Sequence, residues 1–337
     1  MKLLIITQKV DQNDAILGFF AGWLREFAAH VEKVSVITLS QGQFKLPANV
    51  EVFSLGKEAG QGRIRRLLKF RKLAKQLLPQ VDAVLAHMCP EYIVAVNHLN
   101  KSLKKPLYLW YTHKSVSPYL LKAEKLVNKI FSASSESCRL PSDKIVVTGH
   151  GIDLEHFQPQ VKMVKDYFEI LTVGRIAPVK NLHKLIAAFS QLSDEVKNNV
   201  RVKIVGEPLL EPDRRYLDQL KMQVVSYKLQ NKVDFIGPVA YKDLPAVLSQ
   251  ADLFINLSQT GSIDKAVLEA MAMNIPVLTT NEAFKDLLPA ECFCRDQELP
   301  ERMSEFCKNP PSAEWRSLVV KNHGLTSLIK KIIDEIF

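Results

Sequence analysis

No apolar run in the chain is long enough to cross a bilayer, which argues against a membrane-spanning segment. The opening residues, MKLLIITQKVDQND, turn polar after six positions and lack the design of a cleavable leader. Cysteine is scarce: five residues, an odd number at irregular spacing, as expected of free thiols in a reducing cytosol. Cys292 and Cys294 stand one residue apart with no partner pair, so a zinc site is not expected and both read as small buried residues of one strand. There is no D-x-D motif and no His/Asp/Glu set at metal-ligand spacing, so no metal and no cofactor are expected. Internal repeats and low-complexity segments are also missing. What remains is an ordinary globular composition, 47% hydrophobic and 24% charged over 337 residues, long enough for two cores and two domains.

Charge is present but uneven. Residues 1–160 hold 22 Lys+Arg against 13 Asp+Glu, and residues 161–337 hold 23 of each. The whole formal excess of +9 therefore sits in the first half. Much of it comes from Arg63 to Lys75, with seven basic residues and no acidic one. At helical spacing Ile64, Leu67, Leu68, Ala74, Leu77 and Leu78 form an apolar face with cations around it. The first reading is a crossover helix packed on a sheet. A secondary role for its exposed side is contact with an anionic membrane surface, at about 1 kcal/mol per cation. Nucleic acid is not an expected partner, since no aromatic-basic interleaving accompanies the charge.

Strand-like apolar runs alternate with helical ones throughout. In the first half they are Leu3–Thr7, Val34–Leu39, Val50–Leu55, Ala83–His87, Leu107–Tyr111, Lys129–Ala133 and Ile145–Thr148. In the second they are Phe168–Val173, Val202–Val205, Val233–Ile236, Leu253–Leu257 and Pro276–Thr279. Such a pattern implies parallel sheets built from βαβ units. A polar, Pro-containing stretch, Phe157–Lys165, separates the halves. The fold class is α/β, with two Rossmann-like, doubly wound domains facing across a cleft. Residues 1–160 form one domain, residues 161–312 the other, and residues 313–337 are C-terminal helices packing back on the first.

Two segments of the second half carry chemistry. Ser258 to Thr280 reads as loop, helix with Glu269, then buried strand. A β-to-α connection at a strand's carboxyl end is where doubly wound folds hold ligands, and the helix start adds N–H groups suited to phosphate. The other segment, VGRIAPVKN (173–181), places Gly174 in a tight turn after a first strand. Arg175 and Lys180 then stand beside a helix start, an arrangement that suits a diphosphate. In the first half, His113 follows the strand Leu107–Tyr111, and Gly18 follows the first strand near Asp11 and Asp14. Asp14 reads as a cap for the helix through Phe19 and Trp23, and His87 as a buried structural histidine.

These motifs together resemble the retaining glycosyltransferases of family 4, with the GT-B fold. VGRIAPVKN is similar to the family's GR…K donor-phosphate motif, and VTGHGIDLEHFQP (147–159) to its interdomain signature. VKIVGE (202–207), VDFIGPV (233–239) and LEAMAMNIPVLTT (268–280) resemble the segments that follow, in the right order. The resemblance implies that Arg175 and Lys180 hold the diphosphate of a nucleotide sugar and stabilise its departure. It also implies that Glu269 binds the ribose hydroxyls and that His113 lies near the reacting sugar. The family shows E-x7-E, whereas this chain has Gly261 eight residues before Glu269, which leaves the identity of the sugar open. Asp264 either takes over a polar role or caps the following helix. Lys265 adds a third cation, and the amides of Gly261, Ser262 and Ile263 can form an anion nest.

The function expected is metal-independent, hexosyl-type transfer from a nucleotide sugar to a hydroxyl acceptor. A lipid-linked or cell-envelope glycan suits the basic half. The competing readings are a GT-B nucleotide-sugar epimerase or hydrolase and a non-catalytic nucleotide-sugar binder. The protein is expected to be a cytoplasmic monomer, peripheral on the inner face of the membrane.

Overall fold

The computed structural model describes residues 1–259, 261–312 and 314–337. Thr260, within the segment 258–280, and Ala313, at the start of the expected C-terminal stretch, lie outside the described residues. The chain divides into two compact units, each a parallel α/β sheet with helices. One holds residues 1–153, 240–242 and 322–337, and the other residues 154–239 and 243–321.

The first unit runs β1 (Lys2–Val10), α1 (Phe20–His30), β2 (Lys33–Gln41), β3 (Val50–Ser54), α2 (Arg63–Leu77), β4 (Ala83–His87), α3 (Pro90–Asn100), β5 (Leu107–Trp110), α4 (Pro118–Glu124), β6 (Lys129–Ser132) and β7 (Ile145–Val147). Its sheet has the order β3-β2-β1-β4-β5-β6-β7. Every neighbouring pair is parallel, with Leu3 beside Val34 on one side and Ala83 on the other. Leu3 to Ile6 are wholly buried, as an unbroken apolar run requires when helices cover both faces. On one face α1 contributes Phe20, Trp23, Leu24 and Phe27, together with Leu325, Leu328, Ile329, Ile332 and Ile336 from the C-terminal helix. Burial of each such side chain contributes about 2 kcal/mol. The other face is covered by α2, α3 and α4.

Helix α2 buries only the later part of the face the spacing suggests. Phe70, Ala74 and Leu77 face the sheet, whereas Ile64, Leu67 and Leu68 are exposed. Phe70 decides the orientation, because its ring offers the largest area to bury and lies one and two turns before Ala74 and Leu77. Ile64 and Leu68, one turn apart, consequently point away from the sheet among the cations.

The second unit runs β8 (Phe168–Val173), α5 (Leu182–Ser190), α6 (Asp194–Asn198), β9 (Val200–Val205), α7 (Glu211–Ser226), β10 (Val233–Gly237), α8 (Leu244–Leu248), β11 (Leu253–Asn256), α9 (Lys265–Ala272), β12 (Val277–Thr279), α10 (Leu299–Lys308) and α11 (Trp315–His323). The last helix, α12 (Leu325–Ile336), belongs to the first unit. The second sheet has the order β10-β9-β8-β11-β12, all parallel. Strand β8 starts the unit and lies between β9 and β11, so the connections after β8 and β11 leave the same edge side by side. Cys292 and Cys294 are both buried but do not form a strand. A 3-10 turn, Ala290–Cys292, is followed by an isolated bridge from Phe293 to Thr279. Burial pushes both thiols up to about 12, and every cysteine is free.

Candidate functional site

The carboxyl-terminal edge of the second sheet gathers most of the expected residues. Strand β8 is followed directly by Gly174, whose φ is +151°. Gly206, directly after β9, lies against it so closely that a Cβ there would sit 1.9 Å from the Gly174 carbonyl oxygen. Only glycine permits this approach. The chain then passes Arg175 and the buried Ile176 and Ala177, forms a 3-10 turn at Pro178–Lys180, and starts α5 from Asn181. Asn181 holds a left-handed conformation, which asparagine tolerates better than most residues. Its side-chain amide donates to the Leu257 carbonyl at 2.9 Å, tying this loop to the end of β11. Arg175 and Lys180 line one narrow concavity with Gly174, Asn256 and Leu257.

The loop after β11 brings three more charges to this edge. Lys180 Nζ lies 3.0 Å from each carboxylate oxygen of Asp264. Asn256, the last residue of β11, donates its side-chain amide to the same carboxylate at 2.8 Å. Asp264 occupies the cap position of α9, yet its side chain makes no capping bond. The carboxylate thus meets Lys180 and Asn256 and does not cap α9. One turn into α9, Lys265 Nζ lies 3.2 Å from Glu269 Oε1, and Glu269 is buried. Arg175 Nε is 3.8 Å from the buried carboxylate of Asp213 at the start of α7. Gly261 turns the loop with φ +62°, and Asn281 donates to the Ser262 carbonyl at 2.9 Å, fixing the Gly261–Ile263 stretch from below. Gly174, Arg175, Lys180, Gly261, Ser262, Ile263, Asp264, Lys265 and Glu269 therefore belong to one edge.

Three contributors were missed in the sequence. Asn256 is a polar residue ending an apolar strand, Gly206 a glycine directly following one, and Asp213 an acid in the first turn of α7. Each is a signal that the strand and helix boundaries carry, but none is distinctive alone. A roomier hollow lies at the other edge, beside Gln160, Lys162, Asp252, Asn274 and Trp315. It contains none of the expected residues.

Gly18 and His113 belong to the first unit. A Cβ on Gly18 would come within 2.6 Å of Tyr241 Cβ and 2.5 Å of the Asp14 carbonyl oxygen, so packing alone accounts for this glycine. The Asp14 carboxylate accepts the amides of Ile16 and Leu17, at 2.9 and 2.7 Å, in the turn before α1. It therefore holds that turn and does not cap the helix, which starts at Phe20. Burial opposes its charge, but Lys9 and these amides outweigh burial and hold the carboxyl below its ordinary value. His113 is exposed, and its Nδ1 accepts the Ser115 amide at 3.0 Å. In the neutral ring this places the proton on Nε2, which then serves as a donor. His87 is buried and stacked between Phe20 and Trp110, with ring centroids 4.3 and 5.1 Å away. Among the described residues, no group of three or more His, Cys, Asp or Glu side chains is placed to hold a metal ion. No described helix is long and apolar enough to cross a membrane.

Comparison with known proteins converges on the same region. The family described as "Glycosyl transferases group 1" matches residues 154–285, the span that holds this edge. Mannosylfructose-phosphate synthase of Agrobacterium fabrum is 37% identical over 112 residues, covering 33% of this chain and 25% of that protein. Alpha-monoglucosyldiacylglycerol synthase of Acholeplasma laidlawii is 26% identical over 242 residues, covering 60% of this chain and 59% of that one. The chain thus spans less than two thirds of the length of these curated relatives. Among solved structures, Anabaena Alr3699/HepE in complex with UDP and glucose superposes with a TM-score of 0.76 at 19% identity. The match covers 99% of this chain and 98% of that one. The fold is that of the GT-B glycosyltransferases, two Rossmann-like parallel-sheet domains.

Proposed function

We propose that the chain is a retaining glycosyltransferase of family 4 that moves a hexose-type sugar from a nucleoside-diphosphate sugar to a hydroxyl acceptor. The observation that carries this reading is the pairing of Arg175 and Lys180 in one concavity, with Lys180 in contact with Asp264 before α9, inside the span that matches glycosyl transferases. Arg175, Lys180 and Lys265 meet the diphosphate charge, helped by the Gly261–Ile263 amides, and the phosphate oxygens need no metal in this scheme. Glu269 accepts the ribose hydroxyls. The Nε2–H of His113 supplies a hydrogen bond to the reacting sugar. No carboxylate is assigned as nucleophile, so the acceptor oxygen attacks the anomeric carbon on the side from which the diphosphate departs. The bond from that carbon to the β-phosphate oxygen breaks as the new glycosidic bond forms, and the acceptor proton passes to the departing oxygen.

The first donor to test is UDP-glucose, the sugar nucleotide whose parts accompany the Anabaena protein. Arg175→Ala or Lys180→Ala should lower turnover more than tenfold with the fold retained by circular dichroism. Near-normal turnover removes the phosphate assignment. Product analysis without acceptor separates transfer from epimerisation or hydrolysis.

For the acceptor we propose a lipid-linked or envelope glycan at an anionic membrane surface, reached through the outward face of α2. Residues 57–129 contain 15 Lys+Arg and 4 Asp+Glu, leaving 30 and 32 for the rest of the chain. This one stretch thus carries more than the whole positive excess. Ile64 is 78% exposed and Leu68 61%, side by side among seven cations of the same helix. Exposed aliphatics add insertion to charge attraction, which a nucleic-acid surface does not use. Vesicles with phosphatidylglycerol should float the protein, pure phosphatidylcholine vesicles should not, and Ile64→Asp with Leu68→Asp should abolish flotation. Flotation unchanged by these substitutions would sink the proposal.

A further inference from the structure

We infer that Asp264 tunes the selectivity of the diphosphate site: it shares Lys180 with the ligand and penalises a bare nucleoside diphosphate more than the intact sugar nucleotide. The inference rests on the diphosphate reading above and assigns Asp264 a part that neither capping nor sugar contact describes. Each cation of this edge faces a carboxylate: Arg175 with Asp213, Lys180 with Asp264, Lys265 with Glu269. Asp264 meets its cation with both oxygens at 3.0 Å. Lys180 and Asp264 are 20% and 16% exposed, so solvent screens the pair poorly. Asn256 pins one of the same oxygens at 2.8 Å, and a side chain held from two sides does not swing away readily. The carboxylate also leaves its own helix uncapped, although an acid at that position ordinarily bonds the first amides.

A phosphate placed on Lys180 therefore lies within a few ångströms of a fixed negative charge. The cost of that proximity rises with the charge of the phosphate. In the sugar nucleotide the β-phosphorus carries an ester to the sugar and one negative charge. In the nucleoside diphosphate released after transfer, the same group is terminal and carries close to two at neutral pH. The same carboxylate thus costs the product more than the donor, which favours exchange of spent nucleotide for fresh donor. With Lys180 alone, attraction would favour the more highly charged product instead.

The test is titration calorimetry with UDP and UDP-glucose on the intact protein, and with ADP and GDP and their glucose conjugates if the uridine pair does not bind. Asp264→Asn keeps the shape and removes the charge; it should tighten the nucleoside diphosphate by about fivefold or more and the sugar conjugate by about twofold or less. Asp264→Ala should move the ratio of the two constants in the same direction, which guards against an effect of the new amide. If Asp264 only orients Lys180, both variants will weaken both ligands and leave the ratio unchanged, and the inference falls. If the unsubstituted protein binds none of the nucleotides, the diphosphate reading itself fails. Circular dichroism melts accompany each variant, so loss of fold is read separately from loss of selectivity.

Discussion

The two edges of the second sheet carry the same kinds of side chain and put them to different ends. At the amino-terminal edge, Glu169 of β8 is sealed from solvent, with Lys165 Nζ at 3.0 Å and Lys203 Nζ at 2.9 Å. The Asp252 carboxylate accepts the Glu169 amide at 2.7 Å and pairs with Lys162. Burial pulls the Lys203 ammonium down, but Glu169 outweighs it and holds that group above its ordinary value. At the carboxyl-terminal edge Arg175 faces Asp213, Lys180 faces Asp264 and Lys265 faces Glu269, where Gly206 brings the backbone close against the Gly174 loop. Charge density is thus similar at both edges. The difference is that one set centres on a carboxylate sealed from solvent, while the other is arranged around backbone amides and a concavity.

If the comparison is right, the two edges should fail in different ways. Glu169→Ala removes the fully buried carboxylate that Lys165 and Lys203 share, both of them partly buried, and breaking a buried pair in this manner costs about 3 kcal/mol. Chemical denaturation should show that loss, with turnover per folded molecule unaltered. Lys180→Ala should do the reverse: a stability loss well below that of Glu169→Ala, about 1 kcal/mol, and turnover down about a hundredfold, the scale of a lost group at a departing oxyanion. A variant at either edge that moved both quantities equally would erase the distinction.

Much of this division was legible in the sequence. Apolar runs of four to six residues, too short for helices of that character, marked every strand of the second sheet. A glycine and two cations after β8 marked the site edge. Less legible was anything that depends on which neighbour a side chain reaches. Asp264 lies 84 positions from Lys180, and no local pattern announces that pair. Helix α2 misled for a related reason. Its apolar residues are spread around the cylinder, and the sheet accepts only the stripe led by Phe70, so periodicity alone could not say which ones turn outward. Gly18 reads like a ligand-loop glycine until Tyr241, more than two hundred positions on, is seen against it.

Glu269 gives the finest test of the comparison, because its immediate surroundings resemble those of Glu169: buried, with a lysine at 3.2 Å. Burial and an ion pair cannot say whether such a carboxylate serves the fold or a ligand. Position can. Glu269 lies on α9, whose first turn adjoins the Lys180 loop through Asp264. Glu269→Gln preserves volume and keeps one accepting oxygen, but it loses the charge that strengthens two hydroxyl contacts at once. The ribose lies remote from the bond that breaks, so its contacts hold donor and transition state alike. The expected outcome is a KM for the donor raised about tenfold with kcat nearly unchanged, the loss of one charge-assisted contact of about 1.5 kcal/mol. A fall in melting temperature with an unchanged KM would instead place Glu269 with Glu169, as a carboxylate that only stabilises its edge of the sheet.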